Sequence, residues 1–141
     1  MKKKALTASI LLIAAAAVLC FVLLRPGAQT TGTKIYLDGR EYSGLPQTPE
    51  NRDDLRVILS LDGKQIADLP FGEAHKVRIL QENGDENNLV LTGGSVYMES
   101  ANCEGQDCVH MEKVTRDNLE TRVMFGMIIC LPHRLSVEVR Q

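Results

Sequence analysis

Three cysteines and two histidines are the residues of this chain best equipped for chemistry: Cys103, Cys108 and Cys130, with His110 and His133 beside them. Cys103 and Cys108 flank a four-residue spacer containing Gly105, long enough for their sulfurs to reach bonding distance. Closing so short a loop removes little chain entropy, about 2 kcal/mol or less, so a bond there would chiefly fix the loop's shape. The expectation is a structural disulfide between Cys103 and Cys108, with Cys130 as the alternative partner of either. Cys130 itself sits in an apolar run and reads as a buried thiol.

Cysteine with histidine is also a zinc set, which makes Cys103, Cys108, His110, Cys130 and His133 the candidates for a metal. Their spacing argues against it. Zinc ligands arrive as short pairs such as C-x2-C, whereas here Cys-x4-Cys-x-His is followed, after a long gap, by Cys-x2-His. His110 at a loop edge and His133 after Pro132 read as solvated or hydrogen-bonded turn residues. Thiol-disulfide catalysis favours Cys-x-x-Cys at a helix start, and this pair stands two residues too far apart. No G-x-G-x-x-G, phosphate-binding loop or G-x-S-x-G elbow occurs, so neither a cofactor nor a catalytic residue is expected. The acidic pairs Asp53-Asp54 and Asp85-Glu86 read as solvated loop carboxylates.

Disulfides need an oxidising compartment, and the N-terminus supplies one. Lys2-Lys3-Lys4 is followed by 20 uncharged residues, Ala5 to Leu24, and then by Arg25-Pro26. An α-helix of that length, rising about 1.5 Å per residue, crosses the roughly 30 Å hydrocarbon layer of a bilayer. The run is longer than a cleavable signal, and no A-x-A site follows it, so a retained anchor is expected. Leu19 before Cys20 does not suit a lipidation signal, and Cys20 reads as a small apolar residue of the span. Basic residues prefer the cytoplasmic side, which places the N-terminus inside and residues 26–141 outside a plasma membrane crossed once. That tail holds 12 of the 16 Lys and Arg and all 18 Asp and Glu, a formal charge of −6. A surface of that sign suits no nucleic acid. The partners expected are the membrane itself and other membrane or cell-surface proteins.

Residues 26–33, PGAQTTGT, are small and polar and read as a tether to a domain spanning residues 34–141. With no Trp, three Tyr and three Phe, its core must rest on Val, Ile and Leu, which favour strands. Short runs of period two recur about every ten residues between turn signals. Residues 35–37 and 41–42 flank Asp38-Gly39, 56–61 and 65–69 flank Asp62-Gly63, and 76–80 and 88–91 flank Asn83-Gly84. Residues 95–99 follow Gly93-Gly94, and 127–130 and 135–139 close the chain around Leu131-Pro132-His133-Arg134. The fold class expected is all-β, seven or eight antiparallel strands in a small sandwich or partly open barrel. Helical turns are expected near residues 51–59 and over 111–125, the second started by Thr115 or Asp117 as a cap.

The C-terminal third resembles the NusG domain II-like family in Cys103-x4-Cys108-Val109 and in Cys130-Leu131-Pro132-His133-Arg134-Leu135. These are small proteins of Gram-positive and anaerobic bacteria. The resemblance implies an N-terminal membrane segment before one all-β domain, with no catalytic residues to carry over and no role in transcription implied by the name. Residues 1–25 are then the cytoplasmic tip and transmembrane anchor, 26–33 the tether and 34–141 the extracytoplasmic domain. An outward binding or accessory module is the function expected, with a thiol-redox or metal-binding protein using Cys103, Cys108 and Cys130 as the alternative.

Overall fold

Alternation of apolar and polar residues lets a strand bury one face, and the longer strands among the described residues do so. The computed structural model describes residues 32–43 and 55–141. The expected transmembrane helix lies outside these residues, as do Asp53-Asp54. Among the described residues no helix is long and apolar enough to cross a membrane.

The strands are β1 (Lys34–Leu37), β2 (Arg40–Glu41), β3 (Arg56–Leu61), β4 (Lys64–Pro70), β5 (Ala74–Leu80), β6 (Glu86–Thr92), β7 (Ser95–Ala101), β8 (Val114–Thr115), β9 (Met127–Cys130) and β10 (Leu135–Arg140). A single helical turn α1 (Asp107–His110) follows β7, and a 3-10 turn spans Arg116–Asn118. One sheet runs in the order β2-β1-β5-β6-β7-β8 and the other β4-β3-β10-β9, every pairing antiparallel. Side chains of both sheets form one apolar cluster, including Val77, Ile79, Leu89 and Met98 from the first and Val57, Leu59, Ile128 and Val137 from the second. The architecture is therefore a two-sheet sandwich and not a barrel.

The Asp-Gly turns work as their chemistry demands. Asp38 and Gly39 have φ of 50° and 81°, Asp62 and Gly63 of 51° and 75°, the paired positive angles of a type I′ hairpin. Residues 56–59, allowed a helical turn by their charges, are strand, because Val57 and Leu59 belong to the buried face of β3. The 3-10 turn does start at Thr115, whose backbone N–H donates to Oδ1 of Asn118 at 2.8 Å. Asn118 Nδ2 in turn donates to the carbonyl of Lys113 at 3.0 Å.

A bulge positions the chemistry. Along β7 the register places Met98 opposite Leu89 but Ser100 opposite Asn88, leaving Glu99 as an extra residue. Inward-facing positions therefore switch parity. Val96 and Met98 are buried, Glu99 and Ser100 are exposed, and Ala101 and Cys103 are buried again.

Candidate functional site

Three separate elements bring the domain's cysteines together. Cys103 follows β7 on the face the bulge has turned inward, Cys108 lies in α1, and Cys130 ends β9 on the same buried side as Ile128. Their Sγ atoms all lie within 4.8 Å of one another, and the three side chains are 6%, 1% and 1% exposed. Cys103 and Cys108 stand 3.8 Å apart, sulfur to sulfur, and all three thiols are free. The pair expected to form a disulfide is thus adjacent but beyond bonding distance in this structure, since a bonded pair lies at about 2.05 Å. Instead of a pair with a bystander, the fold makes a trio. Burial pushes the Cys108 thiol up to about 12, with the hydrogen bonding and electrostatic influence of Cys130, and then of Cys103, adding to the effect. A thiol so placed stays protonated at neutral pH and is no nucleophile.

The two histidines do not join the sulfurs. His110 ends α1 in solvent. His133, read as a turn residue, is in the turn between β9 and β10 but is only 3% exposed. Its Nδ1 lies 2.7 Å from Oδ1 of Asn87, which as an acceptor fixes the proton on Nδ1. Its Nε2 faces Oδ1 of Asp85 at 3.6 Å, and its carbonyl accepts from Nε2 of Gln81 at 2.8 Å. Asp85 is accordingly not a free loop carboxylate, and Glu86 pairs with Arg78 at 2.8 Å. Asn87 and Gln81 are buried polar groups unexpected from the sequence. The alternation of β6 does put Asn87 on the face of Leu89 and Leu91, which is the signal that could have found it.

These bonds clamp the turn that follows Cys130. Arg134, at φ 53°, points its Nε to Asp62 at 3.2 Å, while Leu135 packs fully buried beside the thiols' strand and Leu131 projects into solvent. Val109 packs against the apolar cluster from α1. Lys34 pairs with Leu80 and Gln81 bonds the turn at His133, so the domain's first described residues lie at the same end of the sandwich as the thiols.

The opposite end carries a second feature. Between the 3-10 turn and β9, Arg122 is buried and donates through Nη1 to the carbonyls of Phe125 and Met127 at 2.7 and 3.0 Å, and through Nη2 to that of Glu112. Its Nε has no hydrogen-bond partner. The loop so held exposes Val123 and Phe125, with Phe125 at φ 49°.

A family model for NusG domain II matches residues 6–141. The chain belongs to the NusG domain II family. The sandwich is similar to the crystal structure of a DUF1312 family protein from Enterococcus faecalis, 22% identical, covering 61% of this chain and 95% of that one, TM-score 0.53. It is similar likewise to the Lin0431 protein of Listeria innocua, 23% identical, covering 63% of this chain and 98% of that one, TM-score 0.52. A DUF1312 family protein from Ruminococcus gnavus is 26% identical over 62% of this chain and 99% of that one, TM-score 0.49. The likenesses to the Enterococcus faecalis and Listeria innocua structures show a shared fold. No curated protein matches the sequence.

In this NusG domain II protein the residues able to hold a metal are therefore Cys103, Cys108 and Cys130. Among the described residues no other group of three or more metal-ligating side chains comes together.

Proposed function

We propose that this NusG domain II protein is a membrane-tethered β-domain on the outer face of a plasma membrane, an accessory module of a membrane or cell-surface assembly whose working part is the three-thiol centre. The observation that carries this reading is the convergence of Cys103, Cys108 and Cys130 within 4.8 Å from three separate elements, all buried. A core that wanted only small apolar residues there had alanine and valine to use, without a thiol's reactivity. The uncharged run Ala5 to Leu24 behind three lysines supports the tether and its orientation.

Two experiments test it. Protease added to intact cells should remove the C-terminal domain, and protection of that domain until lysis would end the outward reading. Mass spectrometry of the full chain, isolated without reductant, should find Cys103, Cys108 and Cys130 either carrying a ligand or partly paired. Three unmodified thiols that react with an alkylating reagent no differently from denatured protein would end the thiol-centre reading.

A second reading rests on the 3.8 Å separation. Cys103 and Cys108 would close to a disulfide by giving two electrons and two protons to a disulfide-bearing partner, with Cys130 able to attack the bond and reopen it.

A further inference from the structure

We infer that Cys103, Cys108 and Cys130 form a three-sulfur site for a single soft monovalent cation of the copper(I) class, with no fourth ligand from the protein. The inference rests on the thiol-centre reading and names what that centre takes.

The sulfur positions fit a shared ion. A metal–sulfur bond of about 2.3 Å separates two ligand sulfurs by about 3.7 to 4.0 Å in tetrahedral or trigonal geometry. Cys103 and Cys108 stand 3.8 Å apart, and all three sulfurs lie within 4.8 Å of one another, so small rotamer adjustments close a triangle around one ion. A disulfide would need one pair to approach to about half that distance.

Ligand count selects the ion. Structural zinc takes four ligands and catalytic zinc three plus a water. Neither histidine is available as the fourth, because His110 is in solvent and His133 is committed to Asn87 and Asp85. With the cysteines 6%, 1% and 1% exposed, solvent is kept from the sulfurs, and an open zinc position would be dry. Thiolates are the softest ligands a protein has and select copper(I), a closed-shell ion satisfied by few sulfurs. Carboxylates, which would recruit harder ions, are not part of the group. On binding, each sulfur that ligates releases its proton to solvent. Copper stays at +1, and no electron moves.

The test is a titration of the full-length protein in detergent, reduced and kept free of oxygen, with copper(I) buffered by a competing chelator. One equivalent should be retained, and X-ray absorption should count sulfur neighbours only, three of them, with no nitrogen or oxygen. Cys103→Ser, Cys108→Ser and Cys130→Ser should each weaken retention by more than about 100-fold, beyond what loss of an outer-sphere partner costs at metal sites. The spectrum of the unsubstituted protein keeps the test decisive where a serine variant does not fold. Copper lost to the chelator by the folded, reduced protein overturns the inference, as does a bound nitrogen, or zinc held more tightly than copper(I). If reduced protein holds no copper but re-forms a cysteine pair in air, the inference fails while the thiol-centre reading stands. Copper held by a domain that protease cannot reach from outside leaves the inference intact and ends the outward placement.

Discussion

The two ends of this sandwich each fasten a loop with buried polar side chains, and they do it at different cost. At the thiol end the fasteners are matched in hydrogen-bond partners. Gln81 meets the carbonyl of His133, the imidazole meets Asn87, and Asn87 Nδ2 reaches the sulfur of Met98 at 3.6 Å. At the other end one guanidinium does the work, its nearest carboxylate, Glu112, 3.9 Å away and exposed, and its Nε unsatisfied. Burying a charge with so little compensation is expensive. The difference teaches that the thiols occupy the end whose buried polar side chains find partners, while the other end leaves a guanidinium nitrogen without one and presents apolar side chains.

Removing Arg122 is the severest way to break this contrast. Arg122→Met should cost about 3 kcal/mol, because three carbonyls lose their donor at once, and chemical denaturation of the full chain reads it directly. Loss of less than about 1 kcal/mol would mean that the loop holds itself. Next comes Gly126→Ala at the same end. A Cβ there would meet the carbonyl oxygen of Val139 at 2.5 Å and Leu119 Cδ2 at 2.9 Å, so the variant should be destabilised by about 1 to 3 kcal/mol. Asn87→Leu should cost about 1 to 2 kcal/mol by orphaning His133 Nδ1, and it should also broaden the NMR signals of residues 130–135. Combined with Arg122→Met it should be additive within about 0.5 kcal/mol, since the two fasteners share no partner. Strong coupling would show that the ends are not independent.

The smallest effect is a pH dependence at the exposed contact of His75 with Asp38 at 2.8 Å and Glu73 at 3.1 Å. The hydrogen bond that His75 donates to the Asp38 carboxylate raises the His75 pKa, and the Lys76 N–H followed by His75 lowers that of Asp38. A raised histidine stabilises the fold fully below its unfolded value of about 6.5 and loses that contribution as pH rises through the folded value. A lowered aspartate contributes above its unfolded value of about 3.9 and loses it as pH falls through the folded one. The contact therefore helps most between about pH 4 and 6.5. His75→Gln should flatten the decline in stability above pH 6.5, to be followed by thermal unfolding across pH.

Much of the fold was legible in the residues because strands and hairpins are local. The hairpins at Asp38-Gly39, Asp62-Gly63 and Asn83-Gly84, and the last pair around residues 131–134, all stand where period and turn chemistry put them. The two-residue strand β8 and the single turn α1 were not legible, being too short to show a period. Spacing favoured Cys103 with Cys108 and left Cys130 as an alternative partner, because loop length speaks only of neighbours in the chain. Arg122 looked like any surface charge, since nothing adjacent in sequence announces the three carbonyls it collects.

Alone, the sequence determined an uncharged N-terminal run long enough for a bilayer, an all-β domain of short hairpins and an inventory of thiols. Tertiary structure alone decided that the thiols meet. Were Glu99 paired in regular register instead of bulged, the alternation that buries Val96 and Met98 would turn Cys103 to the opposite face. The bulge reverses that parity, β9 delivers Cys130 from the other sheet, and a bonded turn holds His133 away. Strand parity and sheet pairing are long-range properties, so no spacing along the chain could have shown the three sulfurs sharing one pocket.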